Sequence, residues 1–92
     1  MSVERISKNE ERLDRINASI KKLNDAIDEF KSNTNDIKLL NKYYGSKSWF
    51  NDKDDYESGK IPKVKAGVLS EDAVWNMNEE INALNKKMNK IL

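Results

Sequence analysis

The sequence predicts an all-α protein, a coiled-coil-like helical hairpin with a long first helix, a short helix in an aromatic-rich corner and a shorter last helix. Two observations support this fold class. Apolar residues recur at steps of three, four and seven in the first 44 and the last 20 residues, which is the spacing of one helix face. All three glycines and the only proline lie between residues 45 and 67, so both outer segments lack the strongest helix breakers.

The first helix is predicted over residues 2–44, which contain neither glycine nor proline. About 40 residues rising 1.5 Å each would span about 60 Å. With Ile6 at heptad position a, the first five apolar residues of the a and d positions form what we name the N-terminal seam: Ile6, Leu13, Ile16, Ile20 and Leu23. Asn9 is a polar residue at the d position between Ile6 and Leu13. A polar residue among apolar a and d positions restricts the register and the number of associating helices.

Residues 32–36, with the sequence Ser-Asn-Thr-Asn-Asp, are the weakest part of the predicted first helix. All five are poor helix formers, and they could end one helix and begin another. The apolar pattern nevertheless keeps its phase across them, from Phe30 to Ile37. We therefore expect one continuous helix.

The segment after Gly45 holds most of the aromatic residues: five of the seven in the chain fall within 14 positions. We name this set the aromatic corner, and its members are Tyr43, Tyr44, Trp49, Phe50 and Tyr56. Ser48 is predicted to cap a short helix over residues 49–57, and Gly59 to end it. The rings are expected to form a small core that closes the hairpin, or else to line a site for a small ligand.

The last helix is predicted to begin after Ser70, a good N-cap residue. Leu69 and Val74 lie at the spacing of a hydrophobic staple across that cap. This helix would span about 30 Å, half of the first helix, and would pack antiparallel on the half nearest the corner. The N-terminal seam would then have no partner within its own chain, and an exposed apolar stripe of that length predicts self-association.

Composition narrows the classes of function. A chain of 92 residues predicts one domain over residues 1–92. The 17 basic and 16 acidic residues give a net charge of +1, which does not favour nucleic acid or anionic membranes. The absence of cysteine and histidine removes the commonest nucleophile–base pairs and metal ligands, so we expect neither an enzyme nor a cofactor. With no apolar run of membrane-spanning length and no apolar signal core near Met1, we expect a cytoplasmic protein.

Two charged groups invite a different interpretation. The acidic cluster Asp52, Asp54, Asp55 and Glu57 begins like a calcium loop, but the glycine position holds Glu57 and the twelfth position holds Lys63, so no metal site is predicted. The basic residues of the first helix could bind nucleic acid weakly; they are Arg5, Lys8, Arg12, Arg15, Lys21 and Lys22. Because acidic residues are interleaved with them, an ion-paired helix surface is the preferred interpretation.

Several runs between residues 43 and 75 carry a family resemblance: Tyr43-Tyr44-Gly45-Ser46, Trp49, Asp52, Tyr56-Glu57, Gly59-Lys60-Ile61-Pro62 and Gly67-Val68-Leu69-Ser70-Glu71-Asp72-Ala73. With them the chain resembles domain-of-unknown-function family 4298, whose members are small bacterial proteins of about this length. The resemblance covers essentially the whole chain. It implies no activity, substrate, cofactor or catalytic residue, but it marks the aromatic corner as a family hallmark.

We therefore predict a non-enzymatic protein–protein interaction or assembly module. It would form a homodimer through the N-terminal seam, or bind another protein there. Two alternatives remain open from the sequence: binding of a small ligand at the aromatic corner, residues 43–57, and weak binding of nucleic acid by the basic N-terminal half.

Overall fold

A computed structural model describes residues 2–91, and every regular element among them is a helix. The elements are α1 (Val3–Lys31), α2 (Thr34–Tyr43), α3 (Lys47–Glu57), a single 3-10 turn (Gly67–Leu69) and α4 (Ala73–Asn89). The predicted all-α class is confirmed. The chain divides into two compact units, Met1–Asn35 and Asp36–Leu92. The single domain, the hairpin of the first and last helices and its coiled-coil packing stay predictions.

The expected continuous helix over residues 2–44 is wrong, because the helix is interrupted at Ser32 and Asn33. The Ser32 hydroxyl donates to the Glu29 carbonyl (2.5 Å), and the Thr34 hydroxyl donates to the Lys31 carbonyl (2.7 Å). Side chains that bond nearby carbonyls compete with the helical backbone ladder. The Asn33 N–H accordingly donates three residues back, to Phe30 (3.0 Å), so the helix tightens and ends there.

α1 is a helix of 29 residues in which none is buried. Two ion pairs at four-residue spacing lie along its surface, Glu4 with Lys8 at 3.5 Å and Lys21 with Asp25 at 2.9 Å. Such exposed pairs contribute only about 0.3–0.5 kcal/mol each. Within its own unit, α1 is therefore held by helix propensity and backbone hydrogen bonds, with little from packing.

The second unit has a small core whose buried residues are Trp49, Leu69 and Val74. Trp49 comes from α3, Leu69 from the 3-10 turn and Val74 from the first turn of α4, and both helices contact the turn. Apolar residues of α2 and α4 that are half-buried include Ile37, Leu40, Met77 and Ile81. The core thus joins α3 to the adjoining turn and start of α4, which follow Trp49 by about 20 residues in sequence.

Two contacts join α2 to the region of α4. The Asn41 and Asn78 side chains exchange hydrogen bonds of 2.8 and 3.3 Å, and the Tyr44 hydroxyl donates to the Glu71 carbonyl. These bonds attach Asn41 of α2 to α4, and Tyr44, which follows α2, to the residues just before α4.

The helix ends agree only partly with the sequence prediction. The N-cap of α3 is Ser46 and not Ser48: the Ser46 hydroxyl accepts from the Trp49 N–H (3.2 Å), so the helix begins two residues earlier than expected. Gly59 follows the end of α3 with a φ of 77°, as predicted. The Lys60 N–H donates to the Asp55 carbonyl (2.9 Å), which completes a Schellman motif.

α4 begins later in the chain than the predicted N-cap residue, Ser70, had suggested. The helix begins at Ala73, and the Ser70 hydroxyl accepts from the Ala73 N–H at 3.2 Å. Ser70 therefore performs the bonding of a cap, although the two residues after it are not yet helical. Leu69 and Val74, the predicted staple pair, are 9% and 2% exposed, so both belong to the core.

Candidate functional site

The N-terminal seam is accessible along its whole length. The exposed fractions are 59% for Ile6, 50% for Leu13, 56% for Ile16, 59% for Ile20 and 45% for Leu23. Isolated exposed apolar residues are common on protein surfaces, but contiguous patches mark interaction sites. Successive seam residues lie seven, three, four and three positions apart, so all five share one face of α1.

The middle of the seam is a continuous shallow surface. Ile16, Ile20 and Leu23 line it together with Ser19 and Arg15. Polar groups contribute little to this surface, since its lining is mainly the apolar side chains and the stem of the arginine. Its shape is a ridge with shallow hollows and not an enclosed cavity, which suits a second helix better than a small molecule.

Asn9 is the polar residue that interrupts the N-terminal seam, and its side chain already has one hydrogen-bond partner within α1. The Arg12 guanidinium donates to the Asn9 side-chain oxygen at 3.0 Å. Two turns earlier, the Arg5 guanidinium donates to the Ser2 hydroxyl at 2.5 Å. Both arginines are therefore positioned beside the seam by polar groups of α1 and its N-cap, so their charges flank the apolar face.

In the aromatic corner, Trp49 is the central residue at 4% exposure. Its indole N–H donates to the Val68 carbonyl (3.0 Å), and the Tyr44 ring meets it edge-on with centroids 5.3 Å apart. The Lys53 ammonium lies 5.3 Å from the centroid of the indole ring and pairs with the Glu71 carboxylate at 3.3 Å. A buried tryptophan with a satisfied N–H is an anchor of the core.

The three tyrosines of the corner also have partners within the chain. The Tyr43 hydroxyl donates to the Asp52 carboxylate at 2.6 Å, and the Tyr56 hydroxyl donates to the Val64 carbonyl at 3.4 Å. Together with the bond from Tyr44 to the Glu71 carbonyl, these contacts attach the corner to three different segments of the chain. The polar groups that a small ligand would use are thus engaged in holding the unit together.

The bond to Asp52 also changes the acidity of Tyr43. The hydrogen bond to the Asp52 carboxylate, with smaller contributions from burial and from the negative charge of Asp52, raises the pKa of Tyr43 from its ordinary value of 10.0 to about 12. Tyr43 is consequently a neutral hydrogen-bond donor throughout the physiological range. Its place in the corner is that of a structural tie.

Phe50 departs from the other members of the corner, because it is 55% exposed on α3. Its ring lies 4.9 Å from that of Trp49, in an edge-on arrangement. The carbonyl acceptors of the corner, at Val64, Val68 and Glu71, are absent from the sequence prediction. Every residue carries a carbonyl, so no residue type indicates which of them accepts such a bond.

Two other roles can be compared with the structure, metal binding by carboxylates and the crossing of a membrane by a helix. Within residues 2–91, no three carboxylate side chains lie close enough to share a metal ion, the acidic cluster of α3 included. None of the described helices combines the length and the apolar character that crossing a membrane requires. The cytoplasmic location stays a prediction.

Comparison with known families gives one match, over residues 6–91, to the family described as "Domain of unknown function (DUF4298)". The chain belongs to this family. The match confirms the predicted resemblance, and it includes most of α1, all of α4 and the segment between them. Searches of curated proteins and of solved structures yield no significant match.

The residues matched to the family include both the N-terminal seam and the aromatic corner. The family description assigns no activity, so the chemistry of the two sites has to be argued from their geometry. The corner is bonded internally around the buried Trp49, whereas the seam is exposed and apolar. Of the two, the seam has the properties of an interaction site.

Proposed function

We propose that this member of the family is a non-enzymatic assembly module that self-associates into a dimer through the N-terminal seam. The observation that carries the proposal is the exposure of five large apolar side chains on one face of α1, each between 45% and 59% exposed. Burial of such a face against an equivalent face is the usual way in which heptad-patterned helices gain stability. A second copy supplies the equivalent face by definition.

The size of the seam is adequate for a dimer of moderate affinity. Full burial of an isoleucine or leucine contributes roughly 1.5–3 kcal/mol, so a side chain that is half exposed gains about 1 kcal/mol when it is covered. Ten such side chains from two chains would contribute on the order of 10 kcal/mol, against an association cost of about 4–15 kcal/mol. With an association cost at the low end of that range, the net free energy is about −6 kcal/mol, so the proposal predicts a reversible dimer with a dissociation constant on the order of tens of micromolar.

The aromatic corner supports a structural role beside this one. Its central ring is buried, and the hydroxyls of Tyr43, Tyr44 and Tyr56 are bonded to Asp52, Glu71 and Val64 of the same unit. We propose that the corner holds α3 and α4 together. Binding of a small ligand there and binding of nucleic acid by α1 stay as predictions, without an observation that favours either.

The test is a measurement of molar mass by light scattering coupled to size exclusion, over a dilution series from about 100 μM to below 1 μM. The single chain has a mass of 10.7 kDa. The measured mass is expected to approach twice this value at the highest concentration and to fall toward it on dilution. The same series at high salt should give little weakening of association, because burial of apolar surface is not reduced by screening.

A constant single-chain mass at all concentrations would overturn the assembly proposal. A mass that falls sharply with added salt would show instead that charged groups, and not the apolar seam, hold the chains together. Both outcomes are distinguishable from the expected one in a single set of runs.

A further inference from the structure

The polar residues beside the N-terminal seam carry information about how two copies would be arranged. Heptad positions e and g flank the apolar a and d positions, and their charges select the orientation of the pairing. With Ile6 at position a, Arg5 occupies position g and Glu10 occupies position e. These two residues carry opposite charges and lie at the same end of α1.

We infer that two copies of α1 pair side by side in parallel and in register, with Asn9 facing Asn9 and Arg5 of each copy beside Glu10 of the other. This inference rests on the proposed self-association and adds its orientation. In a parallel pair, each g residue faces the e residue five positions further along the other helix. Arg5 then faces Glu10 twice, once on each side of the dimer.

The remaining flanking positions do not oppose the parallel arrangement. Arg12 at position g faces Asn17, and Ser19 faces Asn24, so no charge meets a like charge along the N-terminal seam. Arg12 also donates to the Asn9 side-chain oxygen at 3.0 Å. That bond leaves the amide N–H groups of Asn9 available as donors toward the neighbouring helix.

An antiparallel arrangement loses these features. With the two helices fully overlapped, Ile6 lies opposite Phe30, and Asn9 then lies opposite Ile27, so the Asn9 amide N–H groups meet no polar side chain across the pair. In that arrangement g residues face g residues and e residues face e residues, so Glu10 meets Asn24 instead of an arginine. The parallel pairing places a polar side chain of the other helix opposite Asn9, and it forms two opposite-charge contacts.

Disulfide trapping tests the orientation directly, because the chain has no cysteine of its own. In the parallel dimer, Ile6→Cys places two thiols across the seam within bonding reach, and mild oxidation should give a covalent dimer on a non-reducing gel. The matched control is Ser7→Cys, at an outward position b, which should stay uncrosslinked under the same conditions. In an antiparallel dimer the two Ile6 positions would be about 36 Å apart.

A charge exchange provides a second, non-covalent readout. Glu10→Arg should weaken dimerisation about tenfold at low salt, because it replaces two attractive contacts with Arg5 by two repulsive ones. The double variant Arg5→Glu with Glu10→Arg should restore most of the affinity. Glu11→Arg, which makes the same charge change at the outward position f, should leave the dissociation constant unchanged.

The results separate the two proposals. A dimer that crosslinks through Ile6→Cys and responds to the charge exchange supports the parallel arrangement. A dimer that forms a mixed disulfide between an Ile6→Cys chain and a Phe30→Cys chain, but none between two Ile6→Cys chains, overturns the orientation and leaves self-association standing. A monomer at all concentrations overturns self-association, and the orientation with it.

Discussion

Charging the centre of the N-terminal seam should dissociate the proposed dimer. The double substitution Ile16→Asp and Ile20→Asp replaces two side chains that are 56% and 59% exposed in the single chain. Each contributes about 1 kcal/mol of burial in the dimer, and a symmetric dimer contains four of them, so the loss is about 4 kcal/mol. That loss corresponds to a dissociation constant about a thousandfold larger.

Four carboxylates brought together in two adjacent apolar layers would raise this cost further, because charges lose hydration and repel one another there. The assay is the molar mass of the double variant by light scattering across the dilution series. We expect a single-chain mass even at 100 μM, where the unsubstituted chain should be dimeric. Leu13→Asp, in the same seam, should act in the same direction.

The matched control adds the same two charges to the outward face of α1. Ser7→Asp with Ala18→Asp changes exposed residues at heptad positions b and f. This control also lowers helix propensity, as aspartate does at either face. Circular dichroism of both double variants would show whether α1 keeps its helix content.

Equal dissociation constants for the seam variant, its control and the unsubstituted chain would refute the reasoning. That result would mean that any association uses a different surface. Equal weakening of the seam variant and its control would attribute the effect to loss of helix content or to net charge, and would also count against the seam.

The remaining predictions concern the second unit. Trp49→Phe removes the indole bond to the Val68 carbonyl, and it should lower the free energy of unfolding in urea by about 1–3 kcal/mol, because a partly buried carbonyl loses its partner. Tyr43→Phe tests the raised pKa: the stabilisation from the bond to Asp52 should be fully present below pH 10 and lost as the pH rises from 10 toward 12. The stability gap between the unsubstituted chain and Tyr43→Phe should therefore be constant below pH 10 and close above it, and a gap that persists at pH 12 would contradict the assignment. Gly45→Ala should lower the melting temperature, with a cost of about 1 kcal/mol, because Gly45 has a φ of 76° that residues with a Cβ rarely adopt. Since a Cβ at Gly45 meets no atom within 4 Å, an unchanged melting temperature would show that the backbone relaxes freely there.

The helices and several of their ends could be predicted because they depend on local chemistry. Apolar spacing identified α1 and α4, and Gly59 was identified as the end of α3 because a glycine with positive φ suits a Schellman motif. Local chemistry also limited the prediction. Ser46 and Ser48 are the same residue type two positions apart, and only the backbone geometry shows that Ser46 is the cap.

The interruption at Ser32 and Asn33 is a case in which two local signals in the sequence disagreed. The apolar phase from Phe30 to Ile37 argued for continuity, while five weak helix formers argued for a break. In the structure, the hydroxyls of Ser32 and Thr34 bond the carbonyls of the last turn of α1, and the helix ends. A pattern of apolar spacing records which face is buried, and it does not record whether every backbone bond along that face is made.

By itself, the sequence determined that this chain is helical, that the face of α1 carries a heptad stripe, and that the corner is aromatic. These properties follow from the spacing and type of residues close together in the chain. Only the tertiary structure decided that Trp49 is buried while Phe50 is exposed, and that the corner is closed by the carbonyls of Val68 and Glu71. The physical reason is that burial and backbone acceptors depend on which distant segments meet, and a carbonyl looks the same at every position of a sequence.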